Sequence, residues 1–206
     1  MDGIIFDVDG TIWDATEVVA SAWTRYVKEH TQLATVITAS MLKSLFGQLL
    51  PDISRQLFPS LSQAEQLKLI DILCEKEHEA LEKEGAPVYE GMGQVLKELS
   101  GRFPLFIVSN CQAGYIELVM EKTGFGSLIS DHLCPGITGQ AKAENIMALV
   151  KKHHLSSPVY VGDTKGDFEA CQKAGVPFIF ASYGYGTVQN PDYTIKKPAD
   201  LLTICR

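Results

Sequence analysis

Close to the start of the chain, bulky apolar side chains run straight into two acids and a turn, in the order Ile4-Ile5-Phe6-Asp7-Val8-Asp9-Gly10-Thr11. On extended backbone, residues two apart point to the same side, so Asp7 and Asp9 form a carboxylate pair at a strand end. Gly10 lets the chain turn sharply, and Thr11 offers a hydroxyl and a backbone N–H to an anion, for which a phosphoryl group is the natural candidate. A buried strand followed by an acidic surface turn would look the same locally, because Asp-Gly is a common turn pair. The rest of the chain has to decide between the two.

After Thr11 the periodicity becomes helical. Residues 16–30 carry Val18, Val19, Ala22, Trp23, Tyr26 and Val27 at spacings of three and four, and residues 62–84 place Leu67, Ile70, Leu73, Cys74 and Leu81 toward a core. The runs Glu75-Lys76-Glu77 and Glu82-Lys83-Glu84 read as faces turned to water. Shorter helical pieces lie between, broken by Gly47, Pro51 and Pro59, and residues 15–85 contain no convincing strand. The turn-rich stretch 85–91 closes this helical insert.

Beyond it, strands alternate with helices. Strands are predicted at 103–109, 128–134, 159–162 and 178–180, with helices at 113–123, 142–154 and 168–174, then a last short strand at 192–195 and a terminal helix at 198–202. This alternation predicts right-handed crossovers and an α/β fold with a parallel sheet covered on both faces, its ligand at the carboxyl ends of the strands.

Composition narrows the function classes. A net charge of -7 argues against a nucleic-acid partner, since affinity for a polyanion comes from clustered Lys and Arg. No apolar run approaches the ~20 residues of a membrane span, and no secretory leader is visible, which makes the cytoplasm the expected location. The five cysteines are scattered and never form a Cys-x-x-Cys pair, so reduced thiols are expected rather than disulfides or a zinc site.

Three later stretches are weak alone: Ser109-Asn110 at a strand end, Lys142 at a helix start, and Gly162-Asp163-Thr164-Lys165-Gly166-Asp167 after another strand. Together with Asp7-x-Asp9-Gly10-Thr11 they resemble, in order and placement, the four motifs of the haloacid dehalogenase superfamily, and its phosphoglycolate phosphatase-like branch. The resemblance covers nearly the whole chain. It implies a Rossmann-like core formed by residues 1–14 and 86–206, with the first, second and fourth motif strands side by side, and a helical cap formed by residues 15–85.

The resemblance also implies roles. Asp7 would be the nucleophile, forming an aspartyl-phosphate; Asp9 would protonate the leaving oxygen and then deprotonate water. Ser109, Asn110, Lys142 and the loop at Gly10 and Thr11 would hold phosphoryl oxygens. A carboxylate approaching a phosphate meets repulsion of about 4 kcal/mol per charge pair at 4 Å and an effective dielectric of 20, so a cation is needed. Oxygen ligands from Asp7, the Asp9 carbonyl and Asp163 suit Mg²⁺. Asp167 would orient Lys142 or a metal-bound water rather than bind the metal.

Lys142 is followed by Ala143 rather than the proline common in that motif, and Cys111 is read as an inert loop cysteine that would make the site oxidation-sensitive only if exposed and acidic. Phe46-Gly47-Gln48 resembles the loop that helical caps lower over the site, so Gly47 and Gln48 are candidate substrate contacts; the same stretch could equally be a plain turn. A small phosphorylated metabolite is the expected substrate, because an insert of this size leaves room for one and excludes phosphoproteins and nucleic acid. A phosphosugar mutase and a non-catalytic phosphate-binding or interaction module remain alternatives. Dehalogenase and phosphonate hydrolase chemistry are disfavoured, because they lack the acid/base aspartate that Asp9 would supply.

Overall fold

The computed structural model describes residues 1–205. Its centre is a six-stranded sheet of order β3-β2-β1-β4-β5-β6. The strands are β1 (Gly3–Phe6), β2 (Leu105–Val108), β3 (Ile129–Leu133), β4 (Pro158–Gly162), β5 (Phe178–Ala181) and β6 (Tyr193–Ile195), and every pairing is parallel.

The reason for burying β1 at the centre is in its side chains, all fully enclosed. Alternation sends Ile4, Phe6 and Val8 into the larger apolar cluster. Ile5 goes the other way, into a second cluster with Phe106, Val108, Ile146, Leu149 and Phe178. A sheet apolar on both faces needs helices on both. The helices α5 (Met92–Ser100) and α6 (Tyr115–Thr123) supply the first cluster, while α8 (Lys142–Lys152) and α9 (Lys165–Ala174) cover the second. A one-turn α7 (Pro135–Thr138) and a terminal α10 (Leu201–Ile204), entered through a 3-10 turn at Pro198–Asp200, complete this part.

Between β1 and β2 lie α1 (Thr16–His30), α2 (Ala39–Leu45), α3 (Leu50–Leu57) and α4 (Gln63–Glu84), with no strand among them. The start of α4 is set by Ser62, whose side chain and that of Glu65 cap one another's backbone N–H groups. Its apolar stripe packs along α1 and α3. Two expectations fail here. Leu67 is 38% exposed, because Gln66, Leu69 and Ile70 carry the buried side of the first turns. Glu77 is only 4% exposed: a period of 3.6 puts it on the face of Ile70, Leu73, Cys74 and Leu81, not with Glu75 and Lys76.

The helix α5 was not expected from the sequence, although Met92, Val95, Leu96 and Leu99 have helical spacing and are buried. Among the described residues no helix is long and apolar enough to cross a membrane. All five cysteines are free and buried.

Candidate active site

The strand order sets β2, β1 and β4 side by side, so their carboxyl ends bring together Ser109, Asp7 with Asp9, and Asp163. Lys142 reaches the same point from the first residue of α8. Its Nζ lies 2.9 Å from Asp7 Oδ1 and close against Asp167 Oδ1, all three side chains being almost wholly buried. Burial alone would lower the lysine, but Asp167 and Asp7 outweigh it and hold it charged.

Asp167 has a structural reason for standing where it does. Thr164 caps α9 through the Asp167 N–H, and the other Asp167 oxygen accepts from the Thr164 hydroxyl at 2.7 Å, the Thr164 N–H at 2.9 Å and the Asp163 N–H at 3.2 Å. With one oxygen on Lys142 and the other on three donors, it positions the lysine and the loop after β4. Gly162 is required beneath it, since a Cβ there would approach the carboxyl carbon to 2.8 Å.

Asp7, Asp163 and Asp167 offer oxygens that lie within 4.8 Å of one another. Asp163 accepts from the Tyr185 N–H at 2.7 Å and from the Thr11 hydroxyl at 3.3 Å. Burial, then the charges of Asp167 and Asp7, push it well above the usual carboxylate range. Asp7 is pushed up to about 6 by burial, opposed by Lys142. One lysine facing three buried carboxylates leaves negative charge uncompensated, and the donors are all oxygen. The cluster therefore has the ligands and the charge to hold a hard divalent cation.

Asp9 sits in different surroundings. It contacts no cation; the Tyr115 hydroxyl donates to its Oδ1 at 2.8 Å and the Trp13 indole N–H at 3.2 Å. Burial raises its carboxyl well above the usual range despite these donors, and the charges of Asp7 and Glu77 add to the effect. Burial thus raises both carboxylates, but only Asp7 has a lysine to favour its charged form, while Asp9 has neutral donors alone.

The loop carrying them is closed by its own backbone. The Thr11 N–H bonds Val8 O at 3.1 Å and the Gly10 N–H bonds Trp13 O at 3.0 Å. This corrects the expectation that Thr11 presents its N–H and hydroxyl to an anion: the first goes to Val8, the second to Asp163. Gly10 matters for another reason. With φ +80, a Cβ there would come within 2.1 Å of Asp163 Oδ2. Gly184 is equally constrained, since its Cβ would meet Gly10 O at 2.3 Å.

Asn110 also departs from expectation. Its Nδ2 donates to Gly47 O at 2.8 Å, joining the loop after β2 to the helical insert. Gly47, at φ +90, has Thr164 side-chain atoms where a Cβ would stand, at 3.0 Å. Gln48 does not reach the site: its amide oxygen accepts from Gln56 at 2.6 Å and its Nε2 donates to Ser44 O, both at the surface of the insert. The expected pair therefore divides, with Gly47 at the site and Gln48 away from it.

Between insert and sheet lies a cavity of about 30 Å³, lined by Asp7, Asp9, Ser109 and Asn110 from the sheet side and by Phe46, Gly47 and Glu77 among others from the insert. Ser109 is buried, and its hydroxyl helps keep Asp7 ionised. The Cys111 thiol is buried and pushed upward, the reverse of an oxidation-sensitive one. Tyr115, Trp13 and Glu77 were not anticipated. Only Glu77 had left a signal in the sequence, as a charge at a core position of a helical stripe.

The haloacid dehalogenase-like hydrolase family model matches residues 4–181. Among curated proteins, a phosphoglycolate phosphatase from Aquifex aeolicus is 26% identical over 98% of this chain and 95% of its own length. One from Vibrio parahaemolyticus is 25% identical over 98% and 94%. Among solved structures, a haloacid dehalogenase-like hydrolase from Streptococcus pneumoniae superposes with TM-score 0.86 at 20% identity, covering 100% of this chain and 99% of that one. A predicted phosphoglycolate phosphatase from Haemophilus somnus gives TM-score 0.86 at 18% identity, covering 100% and 98%. With the family match extending from β1 through β5 and the fold likeness covering both chains, this protein belongs to the haloacid dehalogenase-like hydrolase family.

Proposed function

We propose that this hydrolase is a Mg²⁺-dependent phosphatase of small phosphomonoesters, working through an aspartyl-phosphate on Asp7. The observation that carries the reading is the contrast between Asp7, 2.9 Å from Lys142, and Asp9, which has no cation and is driven toward its protonated form. A nucleophile and a general acid two residues apart are what displacement at phosphorus followed by hydrolysis requires.

In this reading Asp7, Asp163 and the Asp9 carbonyl hold Mg²⁺, which when bound neutralises the approach of carboxylate to phosphate. Asp7 Oδ attacks phosphorus, and Asp9 gives its proton to the departing oxygen. Asp9, now ionised and still fixed by Tyr115 and Trp13, takes a proton from the water that attacks the aspartyl-phosphate. Lys142 and Ser109 hold the equatorial oxygens where charge accumulates. Asp167 keeps Lys142 aligned.

Residues 15–85 act as a cap on a core made of residues 1–14 and 86–206. A cavity of about 30 Å³ leaves no room for an organic phosphate to enter, so substrate entry requires the cap to lift and the Asn110–Gly47 bond to open. The five unpaired thiols fit a cytoplasmic location.

The test is a panel of small phosphomonoesters assayed for free phosphate with Mg²⁺ and with chelator. Metal-dependent phosphate release is expected. Interconversion of a sugar phosphate without release would favour the mutase, and binding without turnover the non-catalytic module.

A further inference from the structure

The wall of the cavity contributed by the insert carries a buried charge that the mechanism above does not use. Glu77 projects from α4, 4% exposed, and accepts from Gln112 Nε2 at 3.1 Å across the boundary between insert and core. Burial moves its carboxyl up to about 7, while Gln112 and Trp23 favour the charged form. It stands on the Asp9 side of the site, near enough for its charge to raise Asp9. Asp9 is the residue that meets the leaving oxygen, so Glu77 lies where the organic end of a substrate must go.

Three further features of the same cavity bear on what that end can be. No Lys, Arg or His lines it. Lys43, carried by the insert nearby, is paired with Asp14 at 2.8 Å and lies outside the lining. The amide oxygen of Asn110 is buried without a hydrogen-bond partner, and the indole N–H of Trp23 faces Glu77 without closing a hydrogen bond to it; both residues line the cavity. Phe46, Leu50 and Ile53 supply the apolar remainder.

We infer that the site selects small phosphomonoesters whose organic end carries hydrogen-bond donors and no negative charge, with Glu77 as the residue that rejects a carboxylate at that end; this rests on the phosphatase reading above. A hydroxyl both donates and accepts, so it can donate to Glu77 or Asn110 Oδ1 and accept from the Trp23 N–H. A carboxylate could use only the last and would face Glu77 with no Lys, Arg or His in the lining to offset the repulsion. An ammonium group would also be accepted, since it brings Glu77 the counter-charge that the lining lacks.

The experiment compares kcat/KM at pH 8 with Mg²⁺ for glycerol phosphate, erythritol phosphate, ribose phosphate and phosphoethanolamine against phosphoglycolate, with p-nitrophenyl phosphate as a reference. Like charges about 5 Å apart in a partly buried site should set the best polyol or sugar phosphate above phosphoglycolate by on the order of 10²-fold. E77Q keeps the shape and removes the charge, so that ratio should shrink about ten-fold or more. A wild-type preference for phosphoglycolate overturns the inference, as does a ratio that E77Q leaves unchanged. The wild-type ratio decides even if the variant does not fold. Hydrolysis of the aryl phosphate in the same buffer separates these results from failure of the phosphatase reading, which would abolish release from every ester.

Discussion

Asp7 and Asp9 are the same residue type two positions apart, and only their neighbours make them different. Asp7 meets Lys142 at 2.9 Å; Asp9 meets two neutral donors, Tyr115 and Trp13. If Asp9 supplies both proton transfers, Asp9→Asn lowers kcat by roughly 10²–10⁴-fold on an alkyl phosphate, whose leaving group needs the proton. An unchanged rate on that substrate would remove the role. Asp163 is the carboxylate that, beside Asp7, faces the loop at Gly10, and one carboxylate with a carbonyl would hold Mg²⁺ weakly. Asp163→Ala therefore raises the Mg²⁺ concentration needed for half-maximal phosphate release, and a variant with unaltered metal titration would dismiss that ligand. These acids were legible in the sequence because each ends a strand within a short motif. Tyr115 was not, because it meets Asp9 across 106 positions and sits at an ordinary helix start.

At the scale of elements, α4 shows what periodicity reveals and where reading charge runs as solvated misleads. Its length and cap follow from Ser62, Glu65 and the apolar stripe, yet the stripe itself contains Glu77. That placement has a thermodynamic consequence. Glu77 rises from an ordinary 4.5 to about 7 on folding, so between those values the folded protein binds more protons than the unfolded chain, and stability falls as pH increases. The shift corresponds to about 3 kcal/mol. Asp9, Tyr115 and Cys74 also face this carboxyl and are raised, by burial first and by its charge in addition; Asp9 adds to the same trend, whereas the tyrosine and the thiol stay protonated through this window. In metal-free buffer, E77Q should therefore gain on wild type in denaturant-derived unfolding free energy between pH 4.5 and pH 8, by about 3 kcal/mol. A difference independent of pH would mean that Glu77 is not buried as described. Thr11 teaches the same lesson on a smaller scale, since the turn that made it look available for an anion consumes its N–H internally.

For the molecule as a whole, alternating strands and helices after residue 91 foretold a parallel sheet, and the order β2-β1-β4 joins motifs separated by most of the chain. What the sequence left open was how the insert closes on that sheet, because the contacts that do it, Asn110 with Gly47 and Gln112 with Glu77, pair polar groups with no local pattern. The account turns on Asp7 as nucleophile. The most direct measurement is Mg²⁺-dependent phosphate release by Asp7→Asn beside wild type, on the best ester of the panel, with circular dichroism confirming that both are folded. An amide of nearly the same shape cannot attack phosphorus, so the account predicts a folded protein with no turnover above background; release at a rate near that of wild type would contradict it.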